Sequence, residues 1–154
     1  VRVSDVLYRS PRTDRTVVLT GGDRTPSDAL VGAVALATLR TLHLDVVCMG
    51  VHGMSADAGF TTPNLQEAET NRAFVDSTQH LTILADHTKW NVIGLSTIAP
   101  LERAATVISD RWLPAAGRTA LRQMVPQLVL ADPQFNEVPA PFETRTADRR
   151  RANG

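Results

Sequence analysis

The sequence is poor in cysteine, in aromatic residues and in long apolar runs, and each shortage excludes a class of protein. A single cysteine, Cys48, excludes a disulfide framework within the chain and suits a reducing cytoplasm. Because Cys48 lies inside an apolar run, we expect it to be a small buried core residue. No apolar stretch reaches the roughly 18 residues that a membrane span needs, and the chain does not begin with a signal-peptide pattern.

The sequence also has no excess of charge of either sign. The chain carries 16 basic and 16 acidic residues, and four of its arginines lie within residues 145–154. No basic run elsewhere suggests a nucleic-acid surface, so we expect any contact with DNA to be made outside this chain. What is present, 154 residues with 43% apolar content, suffices for one domain with a buried core.

The most informative stretch contains two apolar runs, residues 46–49 and 81–85. The first runs into a glycine-rich segment, 50–63, which we interpret as a loop, and then into a polar-faced helix. Short β-branched runs followed by turns and a helix are typical of a parallel α/β sheet. Ligands of such sheets bind beyond the carboxyl ends of the strands, so residues 50–53 and 86–89 are predicted to border one crevice.

The same patterns predict the other elements. The strands of the parallel sheet are predicted at residues 17–19, 46–49, 81–85, 107–109 and 128–131, with a further extended run at 91–98. Helices are predicted at 4–9, at 29–39 (apolar nearly all round and largely buried) and at 115–124, with one helical turn at 101–104. Residues 1–132 are thus predicted to form the domain, and 133–154, rich in proline and arginine, a flexible tail.

An ordered series of short motifs runs through residues 17–131. The series is Gly21-Gly22, Gly32, Asp45 with Gly50 and Gly53, Gly59-x-Thr61-Thr62, Glu67-Ala68, Arg72, Leu84-Ala85-Asp86 with Lys89, and a strand that ends at Asp110. In this order the motifs resemble the C-terminal sensor domain of DeoR-family transcriptional repressors of sugar catabolism. The resemblance implies a Rossmann-like parallel sheet with flanking helices, similar to ribose-5-phosphate isomerase and glucosamine-6-phosphate deaminase.

Partners are implied by the same resemblance. Family members bind a phosphorylated sugar or related metabolite, form homo-oligomers and bind operator DNA through a helix-turn-helix module that is absent from this chain. No cofactor, metal or catalytic residue is implied. The glycine-threonine loop that the family carries before the stretch at Val1 is also absent, so the chain resembles a fragment cut inside the sensor domain. Asn71 stands where the family usually has a lysine, which removes one cationic partner for an anionic ligand.

Ten residues are predicted to bind the effector. They are Gly21, Gly22, Arg24, Gly50, His52, Gly53, Thr61, Glu67, Asp86 and Lys89. Glycines let the backbone approach a ligand closely, while cations and backbone N–H groups suit phosphate and carboxylates suit sugar hydroxyls. Lys89 is the only lysine among the 16 cations, and its compact ammonium follows a predicted strand.

Several of these residues have a structural alternative. Lys89 is either a ligand contact or a surface lysine paired with Asp86. Glu67 either binds ligand or favours the dipole of its helix, and Arg24 either contacts phosphate or lies solvated in a loop. His52 could donate to a ligand hydroxyl, act as a general base or be a structural histidine.

Three function classes remain after these observations. The first is an effector-binding and oligomerising sensor domain of a transcription regulator. The second is a sugar-phosphate isomerase, deaminase or lactonase of the same fold, which would need a positioned acid and base. The third is an oligomerisation module that has lost ligand binding.

Overall fold

The computed structural model describes residues 1–10 and 14–132; the predicted tail, 133–154, lies outside the described residues. The helices are α1 (Arg2–Arg9), α2 (Ala33–Leu39), α3 (Leu65–Asp76) and α4 (Ala115–Met124). The strands are β1 (Asp23–Arg24), β2 (Leu30–Val31), β3 (Leu44–Gly50), β4 (Gly53–Ser55), β5 (Gly59–Thr62), β6 (Thr78–Leu84), β7 (Ser96–Ala99), β8 (Thr106–Asp110) and β9 (Gln127–Ala131). Single 3-10 turns cover His87–Lys89 and Leu101–Arg103.

A four-stranded parallel sheet in the order β3-β6-β8-β9 organises the fold. Its register aligns Val47 with Leu81, Ile83 with Val107, and Val107 with Leu128. The α/β class is therefore confirmed, as are four of the five predicted parallel strands, the helix over 115–124 and the helical turn after residue 100. These segments were predictable because each couples a short apolar run to a polar or proline-containing stop.

The segment after β3 is a hairpin and not the predicted loop. β4 and β5 pair antiparallel, and β7 joins them in a separate three-stranded sheet. Of the extended run predicted at 91–98, only its end is a strand, in β7. Phe60 and Met54 of this hairpin are fully buried in the main core. The second sheet therefore packs over one face of the parallel sheet.

Two predictions for the N-terminal region were wrong. Residues 17–19 form no strand, since no described strand pairs with them, and Val18 and Leu19 are exposed. The helix predicted over 29–39 begins only at Ala33, because Gly32 has a φ of 90° and separates it from β2. A residue with a positive φ cannot be part of a right-handed helix, so the helix starts after Gly32. The helix is also only partly buried, since Val34 on its outer side is 61% exposed.

The two faces of the parallel sheet differ sharply in burial. Val47, Leu81, Ile83 and Val107 point into the core, where they meet residues of the second sheet and of α4. On the opposite face of the sheet several apolar side chains point outward and are exposed: Val46 by 55%, Leu84 by 47% and Val129 by 36%.

Cys48 belongs to the open face, so the expectation of a buried thiol was wrong. An apolar run does not reveal which of its alternating side chains face the core.

No helix among the described residues is long and apolar enough to cross a membrane.

Candidate functional site

A cavity of about 600 Å³ opens beyond the carboxyl ends of β3 and β6. Gly50 and His52 border it from the end of β3, and Asp86 and Lys89 from the segment after β6. Glu67 joins them from the first turn of α3. The structure thus brings five of the ten predicted effector residues to one crevice.

Parallel strands end at the same edge of a sheet, which explains why these distant segments meet. β3 and β6 are hydrogen-bonded neighbours whose register ends at Gly50 opposite Leu84. The chain leaves both strands on the same side, and α3 begins beside them after the β4–β5 hairpin. This is the edge at which ligands of open α/β sheets are usually found.

The other five predicted residues do not border this cavity: Gly21, Gly22, Arg24, Gly53 and Thr61. A Cβ on Gly22 would lie 2.2 Å from the carbonyl oxygen of Val31, and one on Gly53 would lie 2.0 Å from that of Val92. These two glycines therefore accommodate the protein's own backbone.

Arg24 and Thr61 also have structural partners. The Arg24 Nε donates to the Asp28 carboxylate at 2.8 Å. Thr61 is buried, and its hydroxyl donates to the Gly53 carbonyl and accepts from the Gly94 N–H at 2.9 Å. The neighbouring Thr62 borders the cavity in its place.

Lys89 is the one lysine of the chain and lines the crevice without an ion-pair partner among the described residues. The alternative in which it pairs with Asp86 is not what the structure shows. Instead, Asp86 Oδ1 accepts hydrogen bonds from the hydroxyl of Thr88 and from its backbone N–H at 2.8 Å. An ammonium without a carboxylate partner is available for an anionic ligand.

The pKa of Asp86 is lowered from its ordinary value, chiefly by the hydrogen bond from the Thr88 hydroxyl. Burial opposes this effect, while the Thr88 backbone N–H and the nearby charge of Lys89 add to it. The carboxylate form of Asp86 is therefore stabilised at the mouth of the crevice.

Glu67 does not cap its own helix. The cap of α3 is Asn64, whose Oδ1 accepts from the backbone N–H groups of Gln66 at 2.9 Å and of Glu67 at 3.1 Å. The Glu67 carboxylate accepts a hydrogen bond from the hydroxyl of Ser27, 40 residues away in sequence. The turn between β1 and β2 thus lies beside α3 and closes one side of the crevice.

His52 lines the crevice with an exposed side chain. Its backbone N–H donates to the Thr61 carbonyl at 3.1 Å, which fixes the position of the residue in the hairpin. Among the described residues the imidazole has no hydrogen-bond partner. A free imidazole suits contact with a ligand better than a general base, which needs a positioned partner.

A second polar group lies at the ends of β6 and β8. His87 Nδ1 is 2.8 Å from Asp110 Oδ2, and the His87 ring lies against that of Trp112 with centroids 5.8 Å apart. Burial raises the pKa of Asp110, but hydrogen bonds from the His87 ring and from the backbone N–H groups of His87 and Trp112 outweigh it, so the pKa is lowered.

Asp86, His87 and Asp110 could in principle hold a metal ion. Their ligand atoms lie within 4.8 Å of one another, the one such group among the described residues. His87 and Asp110 are already bonded to each other, and Asp86 to Thr88. These hydrogen bonds account for the geometry, and we assign no metal to the group.

Two residues that line the crevice, Ser27 and Asn64, escaped the sequence predictions, and His87 was predicted only as part of the segment 86–89. Asn64 carried a usable signal, since an asparagine directly before a helix is a favoured N-cap. His87 follows Asp86 at a strand end, which also pointed to this edge. Nothing in the sequence indicated that Ser27 contacts Glu67, because this partner lies 40 residues further along the chain.

Comparison with known families gives an independent finding. The profile of the DeoR C-terminal sensor domain matches residues 1–111 of the chain. The match includes the ends of β3 and β6, the start of α3 and the turn between β1 and β2. Every residue described above as lining the crevice falls within the matched range.

Individual relatives are transcriptional regulators. The HTH-type transcriptional regulator GolR of Listeria innocua is 33% identical over 102 residues, 66% of this chain and 40% of the relative. The HTH-type transcriptional regulator GlpR of Haloferax volcanii is 31% identical over 106 residues, 68% of this chain and 42% of the relative. The glycerol-3-phosphate regulon repressor of Escherichia coli K12 is 22% identical over 106 residues, 68% of this chain and 42% of the relative.

The chain spans less than half the length of these relatives. All three are named as regulators or repressors, and none as an enzyme. Of the classes that the sequence left open, the sensor domain is therefore supported over the isomerase, deaminase or lactonase.

Proposed function

The chain belongs to the DeoR C-terminal sensor domain family, and from this membership we propose that it binds the effector of a repressor of sugar metabolism. The effector in this proposal is a phosphorylated sugar or a related metabolite. Operator DNA would be bound by a helix-turn-helix module outside this chain, in the cytoplasm. The observation that carries the proposal is the ammonium of Lys89, unpaired among the described residues, in a crevice that also holds hydroxyl acceptors.

The crevice supplies both kinds of group that such an effector needs. Lys89 can donate a charge-assisted hydrogen bond to an anionic group, and His52 can donate from its imidazole. Glu67 and Asp86 can accept from hydroxyls. A volume of about 600 Å³ lies within the range usual for small-molecule sites.

Homo-oligomerisation is also part of the proposal. The open face of the parallel sheet carries exposed apolar side chains, among them Val46, Leu84 and Val129. Apolar surface of this kind usually finds a partner, so we expect at least a dimer. Light scattering that shows a monomer at high concentration would contradict this expectation.

Lys89→Ala tests the proposed site. Removing a charge-assisted hydrogen bond should weaken effector binding by about 1.5 to 3 kcal/mol, roughly ten- to a hundredfold. Titration calorimetry with a sugar phosphate that stabilises the wild-type protein against heat gives the affinity. Folding stability should change little, because Lys89 lacks an ion pair among the described residues.

Arg122→Ala is a matched control, since Arg122 is an exposed cation on α4 away from the crevice. It should leave effector affinity unchanged. Equal affinity of the Lys89→Ala variant and the wild type would make Lys89 an ordinary surface residue.

The oligomerisation module without ligand binding is a second candidate, because Asn71 in the crevice supplies no positive charge. A thermal-shift screen of triose, pentose and hexose phosphates separates the two. No stabilisation of the wild-type protein by any of these compounds would favour the module.

A further inference from the structure

The hairpin turn between β1 and β2 is held by several interactions. The Thr25 N–H donates to the Ala29 carbonyl, and the Asp28 N–H to the Thr25 carbonyl, both at 2.9 Å. Asp28 has a φ of 67°, a left-handed conformation that aspartate tolerates better than most residues. Its carboxylate accepts from Arg24 Nε at 2.8 Å and from Arg2 Nε at 2.6 Å. The turn is therefore pre-organised beside the crevice.

Ser27 sits in the middle of this turn and reaches α3. Its hydroxyl donates to Glu67 Oε1, and its oxygen is 2.7 Å from the hydroxyl oxygen of Thr25. A hydroxyl has one hydrogen, so with that of Ser27 on Glu67 the short bond between the two hydroxyls is donated by Thr25, in preference to the longer contact of 3.4 Å between the Thr25 hydroxyl and the Ala29 carbonyl. Two hydroxyls in series thus orient one carboxylate oxygen.

The second oxygen of Glu67 remains free for a ligand. Among the described residues Oε2 has no hydrogen-bond partner, and the backbone N–H of Glu67 is already satisfied by Asn64. Glu67 lines the cavity together with Asn64 and Asn71. The hydrogen bond from Ser27 to Oε1 restricts the orientation of the Glu67 carboxylate. Oε2 therefore points in a defined direction, which favours selective hydrogen bonding to a ligand.

The charges around the crevice indicate what would bind near Glu67. Two carboxylates, Glu67 and Asp86, line it against one ammonium, Lys89. A second anionic group near Glu67 would be repelled, whereas hydroxyl groups can donate to carboxylates. We propose that Ser27 is a positioning residue: by orienting Glu67, it sets how strongly the crevice discriminates between ligands that offer a hydroxyl to Glu67 and ligands that lack it.

This inference rests on the proposed function, and its test measures discrimination between hydroxylated and deoxy ligands. The probes are glycerol 3-phosphate with propyl phosphate, and glucose 6-phosphate with 2-deoxyglucose 6-phosphate, plus other pairs from sugar phosphates that stabilise the wild-type protein. Titration calorimetry on the full chain gives the ratio of affinities within each pair. Ser27→Ala should lower that ratio about five- to tenfold, since the orienting bond to a charged group is lost.

Two further variants separate positioning from a general loss of structure. Ser27→Thr keeps the hydroxyl and should retain the wild-type ratio even if Ser27→Ala proves unstable. Glu67→Gln should lose the ratio to a similar degree, and combining it with Ser27→Ala should add little, because both changes act on one carboxylate. Thr119→Ala, an exposed hydroxyl on α4, should change nothing.

Each outcome is informative. A wild-type ratio in the Ser27→Ala variant overturns the inference and leaves the proposed function standing. A loss of affinity that is equal for hydroxylated and deoxy ligands also overturns it, since Ser27 would then act only on structure. If no sugar phosphate stabilises the wild-type chain, the proposed function falls and takes the inference with it.

Discussion

The two faces of the parallel sheet are built from the same strands and both carry apolar residues, yet only one face is covered. Leu81 and Leu84 lie three residues apart on β6; Leu81 is fully buried and Leu84 is 47% exposed. The covered face receives the β4–β5–β7 sheet, which contributes Phe60 and Met54, and it receives α4. Across the open face, the described residues place no comparable layer.

This difference shows that apolar character alone does not determine burial. In a parallel sheet with both faces covered, both sets of alternating side chains are apolar. Here the open face mixes apolar residues, such as Val46, Leu84 and Val129, with polar ones, such as His80, Thr82 and Thr106. The apolar residues of the open face thus lack the contacts that their counterparts on the covered face make. What these residues contribute to stability depends on whether another layer covers them.

The largest expected effect comes from truncating the same residue type on the two faces. Leu81→Ala should destabilise the chain by about 2 to 5 kcal/mol, because it leaves a cavity in a packed core. Leu84→Ala should cost less than about 1 kcal/mol, since water already reaches the side chain. Urea denaturation of the two variants measures the difference directly. Equal costs would mean that the open face is covered in solution.

A smaller effect is expected at the polar edge where the open face ends. Asp110 alternates with the core residues Val107 and Ser109, and it is held by hydrogen bonds from His87 and Trp112. Asp110→Asn should therefore cost about 1.5 to 3 kcal/mol at neutral pH. This change compares hydrogen bonding at the edge with packing on the covered face.

The pH dependence has a definite sign. The pKa of Asp110 is lowered in the folded protein, so its stabilisation is present above the ordinary value of 3.8 and is lost as pH falls through the lowered pKa. Wild-type stability should decline in this acid range more steeply than that of Asp110→Asn. Chemical denaturation at a series of pH values below 5 checks the slopes, and parallel slopes would show that Asp110 does not contribute.

The smallest effect on stability is expected at Cys48. Because the thiol is exposed on the open face, Cys48→Ser should change the unfolding free energy by no more than about 0.5 kcal/mol. A maleimide reagent should label the native protein about as fast as the denatured one. Protection that appears only at high protein concentration would show that a second copy covers the face, and protection at all concentrations would show that the thiol is buried.

Much of the fold could be predicted from local sequence patterns. The helix over 115–124 and the strands at 46–49, 81–85, 107–109 and 128–131 were predictable, since each is a short periodic or apolar run with a clear stop. The edge that holds the crevice was predictable too, because parallel strands end together. Residues 17–19 show the limit of this approach, since an apolar triplet becomes a strand only where another strand pairs with it.

By itself, the sequence determined the α/β class, the family and the edge of the sheet at which polar residues gather, because all three follow from the order of short segments along the chain. Only the tertiary structure decided that Cys48 faces outward, that Gly53 and Thr61 hold the hairpin and not the crevice, and that Ser27 orients Glu67. Each of these depends on contacts between segments far apart in sequence, and such contacts leave no local pattern to read.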